Sequence, residues 1–206
     1  MKLKITTILP LVAILLASCG GQSTNNEEKS TVEAAAVTYT VDSQASVVAW
    51  KGEVAGVYGH NGVINIAEGS ITAEGSQITS GSIVIDMTSI QPTDSASYKD
   101  EDGRRASDLV GHLSTGDFFL VDSFPTASFL IKSHVGNMLT GDLTVRGITK
   151  EETATVNGIN VENGTLKASA TLVFNRQDYK VSWVHFMKDM VLSDDIAINI
   201  ELTAKQ

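Results

Sequence analysis

The chain has 206 residues, of which 42% are hydrophobic and 19% are charged. This composition supports one domain with a real core and argues against a wholly disordered chain. The formal net charge of −9 leaves no excess of Lys and Arg, which argues against binding to nucleic-acid phosphates and against electrostatic docking on an anionic membrane.

The first eighteen residues have the organisation of a secretory signal peptide. Lys2 and Lys4 precede an apolar run that ends in small residues, which is the pattern of such peptides. The run is shorter than the roughly 20 residues that a membrane-spanning helix needs, and Pro10 interrupts it. We therefore expect residues 1–18 to direct export and to be removed.

Cys19 is the one cysteine of the chain and stands where the apolar run ends. The tetrad Leu16, Ala17, Ser18 and Cys19 resembles the bacterial lipobox, in which the cysteine becomes the first mature residue and carries a diacylglycerol on its sulfur. This resemblance implies an exported protein that is anchored to a membrane of the bacterial cell envelope and faces the periplasm. The alternative is a plain secreted protein with one unpaired thiol. A single cysteine forms no internal disulfide, so packing must hold the domain together.

The segment after the cysteine is polar, rich in small residues and without apolar periodicity. It predicts a flexible tether over residues 19–36, with a root-mean-square span of about 20 to 25 Å. One folded domain is expected to occupy residues 37–206.

From Val37 onward, apolar and polar residues alternate, which predicts strands with one buried face. The pattern is clearest at residues 48–54, 83–87, 129–132, 139–146, 166–174 and 196–202. Glycine-bearing turn sequences are found at 59–62, 68–69, 74–75, 135–137, 157–158 and 162–164, and Asn163-Gly164 is the strongest hairpin signal among them. About eight strands joined by short turns are antiparallel, and such a sheet closes into a barrel or folds into a sandwich.

One stretch, between Ser89 and Phe124, is polar and acidic instead of alternating. Within it, residues 104–113 place Leu109 and Leu113 four apart, which predicts one short helix in a long loop. The pair Phe118 and Phe119 follows Asp117, which we expect to cap a turn. The two phenylalanines are interpreted either as a plug that packs the loop onto the sheet or as a gate at the entrance of an internal cavity.

Five segments resemble the YceI-like family in order and spacing. They are His60-Asn61-Gly62 and residues 85–90, 112–119, 124–129 and 141–150. The resemblance covers about residues 37–205. It implies an elongated, lipocalin-like antiparallel β-barrel that holds a long isoprenoid or similar lipid inside, in a periplasmic protein with no established catalytic residues. The segment after Tyr179 departs from the commonest family pattern, because large apolar residues stand there in place of a glycine-rich stretch.

The barrel interior is either filled by side chains or wide enough for one ligand, and alternation alone favours neither. Small residues at inward positions, namely Gly52, Gly141, Ala168 and Ala170, would leave volume for a lipid tail. The resemblance favours the hollow interior. The residues predicted to line it are Trp50, Val54, Phe129, Ile131, Leu143, Val145, Leu172, Phe174, Trp183 and Phe186.

A polar headgroup would lie at the barrel mouth, where a few hydrogen-bonding residues orient it. The candidates are His60, Asp86, His112 and Arg146. Each also has a purely structural interpretation: His60 in a tight turn over residues 59–62, Asp86 as a cap of the following loop, His112 as a packing residue, and Arg146 paired with a carboxylate on an outer strand face.

Catalytic and metal motifs are absent from the sequence. The four histidines, at positions 60, 112, 134 and 185, lack the close spacing of a zinc site, and the acidic run at 100–103 lacks the alternating ligands of a calcium loop. No Gly-x-Ser-x-Gly elbow or glycine-rich phosphate loop occurs. We expect no catalytic residue, no metal and no cofactor other than a bound lipid.

The expected function is therefore non-catalytic binding or transport of an isoprenoid-type or other long-chain lipid in the bacterial cell envelope. The expected partners are that lipid and the membrane through the Cys19 anchor, and a homodimer is left open as an alternative to a monomer. A structural or interaction barrel with a filled interior, acting in envelope stress or adhesion, is the main alternative. A hydrolase that uses His112 and a nearby carboxylate is the third.

Overall fold

The computed structural model of the protein describes residues 34–54, 57–184 and 191–206. The predicted signal peptide, Cys19 and all but the last three residues of the predicted tether lie outside the described residues. So does residue 186, one of the predicted lining positions. Among the described residues, no helix combines the length and the apolar character that crossing a membrane requires.

In the described residues, nine antiparallel strands form one closed sheet. From β3 to β9, each strand pairs with the next along the chain, across short turns in most cases and across two long connections. The strands are β1 (Ala36–Val41), β2 (Val47–Val54), β3 (Tyr58–Glu74), β4 (Gln77–Pro92), β5 (Thr126–Val135), β6 (Met138–Val145), β7 (Ile148–Glu162), β8 (Thr165–Asn175) and β9 (Asp195–Lys205).

The first two strands share one position in the barrel. Strand β1 pairs with residues 70–74 of β3, whereas β2 pairs with residues 58–64 of the same strand. Both also pair with β9, which closes the sheet. The barrel therefore has eight strand positions, and the predicted eight-stranded antiparallel barrel is confirmed.

The alternation that predicted the strands is visible in β6. Leu139, Leu143 and Val145 are buried, while Asp142 and Thr144 between them are partly exposed. Successive side chains of a strand point to opposite faces, so a period of two places one set inside the barrel.

Two hairpin turns have both central residues at positive φ, as a type I′ turn requires. Asn163 and Gly164 join β7 to β8 with φ of 50° and 72°, at the predicted position. Arg146 and Gly147 join β6 to β7 with φ of 51° and 70°. The sequence analysis placed Arg146 on a strand, and this was wrong because the strand ends at Val145.

Three of the predicted turns lie inside long strands instead. Residues 59–62 belong to β3, so His60 is a strand residue and not part of a tight turn. The pairing register shifts between Ile66 and Glu68 in β3 and between Val156 and Gly158 in β7. These shifts mark β-bulges, which disturb the pairing locally without ending a strand.

The two ends of the barrel differ in their connections. At one end, named the turn end here, short turns join β3 to β4, β5 to β6 and β7 to β8. At the other, the loop end, residues 93–125 join β4 to β5 and residues 176–194 join β8 to β9. The first of these long connections contains α1 (Ala106–Leu113), which contacts β4. The predicted short helix in a long loop is confirmed.

Candidate functional site

The barrel encloses a cavity of about 350 Å³, within the size range of small-molecule sites. Inward side chains of every strand from β2 to β9 line it, together with residues of the two long connections. The interior is therefore not filled by side chains. The main alternative function assumed a filled interior.

Nine of the ten residues predicted to line the cavity lie on its wall. They are Trp50, Val54, Phe129, Ile131, Leu143, Val145, Leu172, Phe174 and Trp183. The tenth, Phe186, lies outside the described residues. The wall position of the nine is a structural observation, and their contact with a lipid stays a prediction.

Two glycines make room for large rings that pack directly against them. A β-carbon at Gly62 would stand 2.5 Å from Cζ2 of Trp50, and one at Gly141 would stand 2.7 Å from Cζ of Phe129. The Trp50 Nε1–H donates to the carbonyl oxygen of Val63 at 3.2 Å, so the indole exposes its apolar part to the cavity. Gly141 was expected to leave volume for a ligand, but the Phe129 ring covers it.

The other small residues do contribute space. A β-carbon at Gly52 would meet nothing within 4 Å, and Gly52 lies on the cavity wall. Ala168 and Ala170 lie there too. Because a short side chain leaves the lumen open at its position, these three residues widen the cavity.

At the turn end, apolar side chains close the barrel. Tyr39, Ala73, Leu166 and Ala204 are all buried, with 4%, 1%, 0% and 0% of their surface exposed, and none of them lies on the cavity wall. Strand β1 pairs with β3 and β9 at this end. The cavity is therefore blind at the turn end, and we expect a ligand to enter at the loop end.

At the loop end, three rings pack together above the cavity. The centroid of His112 lies 4.9 Å from that of Phe118 and 5.0 Å from that of Trp183, and the last two are 5.6 Å apart. The Trp183 backbone N–H donates to the carbonyl oxygen of Asp117 at 3.2 Å. The two long connections thus form one aromatic cap. Phe119, in the first of them, also lies on the cavity wall.

The surroundings of His112 are aromatic. Its ring lies on the cavity wall between the rings of Phe118 and Trp183, in edge-on contact with both. This matches the packing interpretation of His112. In the described part of the chain, no carboxylate contact of its ring is recorded that would support the hydrolase alternative.

His60 is the second histidine on the wall and has polar partners. Its Nδ1 lies 2.8 Å from Oδ2 of Asp94 and 2.9 Å from the phenol oxygen of Tyr98. The Tyr98 hydroxyl donates to Oδ1 of Asp94 at 2.8 Å, and its ring stacks on the imidazole with centroids 5.5 Å apart. Asp94 and Tyr98 come from the connection that follows β4, so tertiary structure alone brings the three together.

The protonation states of the two partners follow from their burial and hydrogen bonds. Burial acts to raise the pKa of the Asp94 carboxyl, but hydrogen bonds from His60 and Tyr98 outweigh it and hold the pKa below its ordinary value. Burial and the hydrogen bond to Asp94 raise the pKa of the Tyr98 phenol well above its ordinary value. At neutral pH, Asp94 is an ionised acceptor and Tyr98 a protonated donor.

The remaining two predicted mouth residues are not on the cavity wall. The Asp86 carboxylate accepts hydrogen bonds from the backbone N–H of Thr88 at 2.9 Å and from its hydroxyl at 2.6 Å, which is the capping role considered for it. The Arg146 guanidinium donates to the carbonyl oxygen of Lys180 and not to a carboxylate. Geometry therefore does not support a headgroup role for either residue.

Arg176 is the structurally important residue that the sequence analysis missed. It is 3% exposed and lies on the cavity wall. Burial lowers the pKa of the guanidinium, and the Asp194 carboxylate, 3.2 Å from Nη2, partly opposes this. Its other acceptors are the carbonyl oxygens of Val181, Trp183, Leu192 and Ser193.

All of these hydrogen bonds of the Arg176 guanidinium are made to groups of the protein. The carbonyl acceptors belong to both halves of the β8–β9 connection, which the guanidinium therefore holds together. Of the described wall residues, Arg176 is the one with a formal charge at neutral pH. An arginine directly after an apolar strand was the only sequence signal for this role.

Two arginines form ion pairs with the three carboxylates of the acidic run in the β4–β5 connection. Arg105 contacts Asp100 at 2.8 Å and also Asp102, and Arg104 lies 3.1 Å from Glu101. Over the described ranges, no group of three or more His, Cys, Asp or Glu side chains is placed to hold a metal ion.

Comparison with known proteins identifies sequence relatives. A family model described as the YceI-like domain matches residues 39–204. A UPF0312 protein of Staphylococcus aureus is 37% identical over 78 residues, which are 35% of this chain and 46% of that protein. The chain thus matches a little under half the length of this curated relative.

Solved structures with the same fold are more distant in sequence. BcnA of Burkholderia cenocepacia has a TM-score of 0.64 and 19% identity, over 80% of this chain and 99% of that chain. A polyisoprenoid binding domain from Saccharophagus degradans, implicated in plant cell wall breakdown, has a TM-score of 0.54 and 12% identity, over 81% and 97%. These similarities show the shared fold.

Proposed function

Because the chain belongs to the YceI-like domain family, whose model matches residues 39–204, we propose that its barrel binds an isoprenoid-type or other long-chain lipid without chemical turnover. The observation that carries the proposal is the blind, apolar cavity of about 350 Å³. The proposal covers the described domain and extends to export and anchoring through the residues that precede it.

The length of the cavity favours a chain-like ligand. The wall residues of strand β3 lie between Tyr58 and Ile71, which corresponds to roughly 40 Å of strand and, at the usual barrel tilt, to about 30 Å along the barrel axis. Apolar burial contributes about 25 cal/mol per Å², while ordering a flexible chain opposes binding. Affinity should therefore rise with tail length.

The polyisoprenoid binding domain from Saccharophagus degradans has the same fold, and this is the reason to propose an isoprenoid tail first. The wall itself is rich in branched side chains, among them Ile83, Ile85, Ile198 and Ile200. A branched isoprenoid chain makes more dispersion contacts with such a wall than a straight chain of equal length.

Anchoring through Cys19 would place the barrel beside its lipid source. The lipobox-like tetrad at residues 16–19 is the observation that supports it, and two or three acyl chains would make the anchoring stable. Cys19→Ala should release the protein from the membrane fraction and change its mass by the lost lipid. An unchanged distribution and mass would contradict the anchor, and with it the envelope location.

Native mass spectrometry of protein purified from its own host tests the binding function directly. We expect a co-purifying lipid that appears as a mass difference and is released on denaturation. Both tryptophans of the chain, Trp50 and Trp183, lie on the cavity wall, so added prenyl lipids should change the tryptophan fluorescence. If no lipid co-purifies and no prenyl chain alters the fluorescence, the structural or interaction role is favoured instead.

A further inference from the structure

The polar group at His60 has one hydrogen-bonding position left for a ligand. We infer that His60 Nε2 accepts a hydrogen bond from a hydroxyl at the head of the bound lipid, so that the barrel selects prenyl alcohols or phenols over their ethers and phosphates. This inference rests on the proposed function, since it specifies the head of the same ligand.

The proton on the imidazole is assigned by the network around it. A carboxylate only accepts hydrogen bonds, so the 2.8 Å contact of His60 Nδ1 with Asp94 requires the proton on Nδ1. The Tyr98 hydroxyl donates its hydrogen bond to Asp94 at 2.8 Å. Its oxygen therefore accepts from the same Nδ1–H of His60. In the neutral ring, Nε2 is then the acceptor.

The ring is held in place from several sides. Tyr98 stacks on one face, and Tyr58 approaches edge-on with centroids 5.6 Å apart. His60 lies on the cavity wall and its side chain is 28% exposed. Its hydrogen bonds to described residues are made through Nδ1, not through Nε2. The fixed ring therefore offers Nε2 at low entropic cost to a ligand group.

Room for a headgroup exists directly beside the ring. His60 pairs with Gly52 across β2 and β3. A β-carbon at Gly52 would meet nothing within 4 Å, so the wall is open next to the imidazole. A hydroxyl-bearing head fits here, while the tail extends toward the turn end.

The chemistry of the site discriminates among headgroups. A hydroxyl donates to Nε2, whereas an ether or a ketone oxygen offers only lone pairs that face another lone pair. A phosphate brings negative charge toward the Asp94 carboxylate, which lies 2.8 Å from the ring. The guanidinium of Arg176 cannot compensate, because its nitrogens are held by backbone carbonyls and Asp194.

Farnesol, farnesyl methyl ether and farnesyl phosphate test the inference on the unmodified full chain, because they share one tail. Binding is followed by tryptophan fluorescence. We expect farnesol to bind about fivefold tighter than the ether, as the loss of one neutral hydrogen bond implies. The difference in affinity between farnesol and the phosphate should be larger than this. Equal affinity for alcohol and ether, or a preference for the phosphate, would overturn the inference.

Variants assign the effect to His60. His60→Leu should lower the affinity for farnesol to that for the ether, while His60→Gln should restore part of the preference because its amide oxygen also accepts. His134→Gln is the matched control, since His134 is not on the cavity wall. If the unmodified chain binds none of the three prenyl ligands, the proposed function is overturned as well. If it binds all three with equal affinity, only this inference is overturned.

Discussion

The indole of Trp50 lies across Gly62, its antiparallel partner on β3, at a distance that leaves no room for a side chain at position 62. A β-carbon there would stand 2.5 Å from Cζ2 of the indole and would overlap the carbonyl oxygen of Gln91. The glycine thus leaves room for the indole of Trp50, one of the two tryptophans of the interior, to lie against the wall.

Gly62→Ala should therefore destabilise the barrel and displace Trp50 into the cavity. We expect a loss of about 2 to 3 kcal/mol in the free energy of unfolding, as for overpacked cores, and weaker lipid binding. Gly52→Ala is the matched control, because its β-carbon meets nothing within 4 Å, and it should stay within about 0.5 kcal/mol of the original. Equal stability of the two variants in chemical denaturation would contradict the role of Gly62.

Filling the cavity should remove binding without loss of stability. In Gly52→Leu, the new side chain enters the lumen, since position 52 lies on the cavity wall and is unobstructed. We expect at least tenfold weaker binding of farnesol with an unchanged or higher melting temperature. Gly111→Leu, on an exposed and unobstructed position of α1, should leave the affinity unchanged. Unaltered binding by Gly52→Leu would place the ligand elsewhere.

Variants of Phe118 and Phe119 distinguish the two interpretations of this pair, a plug that packs the loop onto the barrel and a gate at the cavity entrance. Phe118 is buried and Phe119 is partly exposed, and both lie on the cavity wall. We expect Phe118→Ala to cost about 3 to 5 kcal/mol in stability and Phe119→Ala to cost about 2 kcal/mol, because both pack the cap. Stopped-flow fluorescence measures lipid release. Faster release by Phe119→Ala at unchanged stability would favour a gate.

Arg176→Leu should be about as destabilising as Phe118→Ala. It removes the guanidinium and leaves backbone carbonyls of the β8–β9 connection without their donor, which predicts a loss of about 3 to 5 kcal/mol and a melting temperature lower by about 10 °C. Arg104→Leu is the control, because its ion pair with Glu101 is exposed and should contribute less than about 1 kcal/mol. Similar melting temperatures would show that Arg176 is dispensable.

Asp94 should make stability depend on pH in the acid range. Its pKa in the folded protein lies below the ordinary value of 3.8, so its contribution is present above that value and is lost as the pH falls through the folded pKa. We expect Asp94→Asn to lower the stability by about 1 to 2 kcal/mol at pH 6. The difference should shrink below pH 3.8.

The companion variant Tyr98→Phe removes one of the two hydrogen bonds to Asp94 and should reproduce part of this effect. Chemical denaturation of the three proteins between pH 3 and pH 7 gives the comparison. A difference between Asp94→Asn and the original that does not change with pH would show that the ionised carboxylate adds nothing to the fold.

The strands of the barrel could be predicted because the strand pattern is local. The alternation in residues 139–145 assigns one face of β6 to the interior regardless of what that face meets. Position 60 was misassigned to a turn for the same reason: a glycine on either side indicates a turn locally, whereas pairing with β2 makes the segment a strand.

The sequence by itself determined the antiparallel β-class, the Asn163-Gly164 hairpin, the short helix and most of the apolar wall, since each depends on residues within a few positions of one another. Only the tertiary structure decided that the interior is a cavity, because this depends on glycines on neighbouring strands that make room for Trp50 and Phe129. It likewise decided the partners of His60, 34 and 38 residues away, and the acceptors of Arg176. Hydrogen bonds between distant segments leave no periodic trace in a chain, so their partners are defined only once the barrel closes.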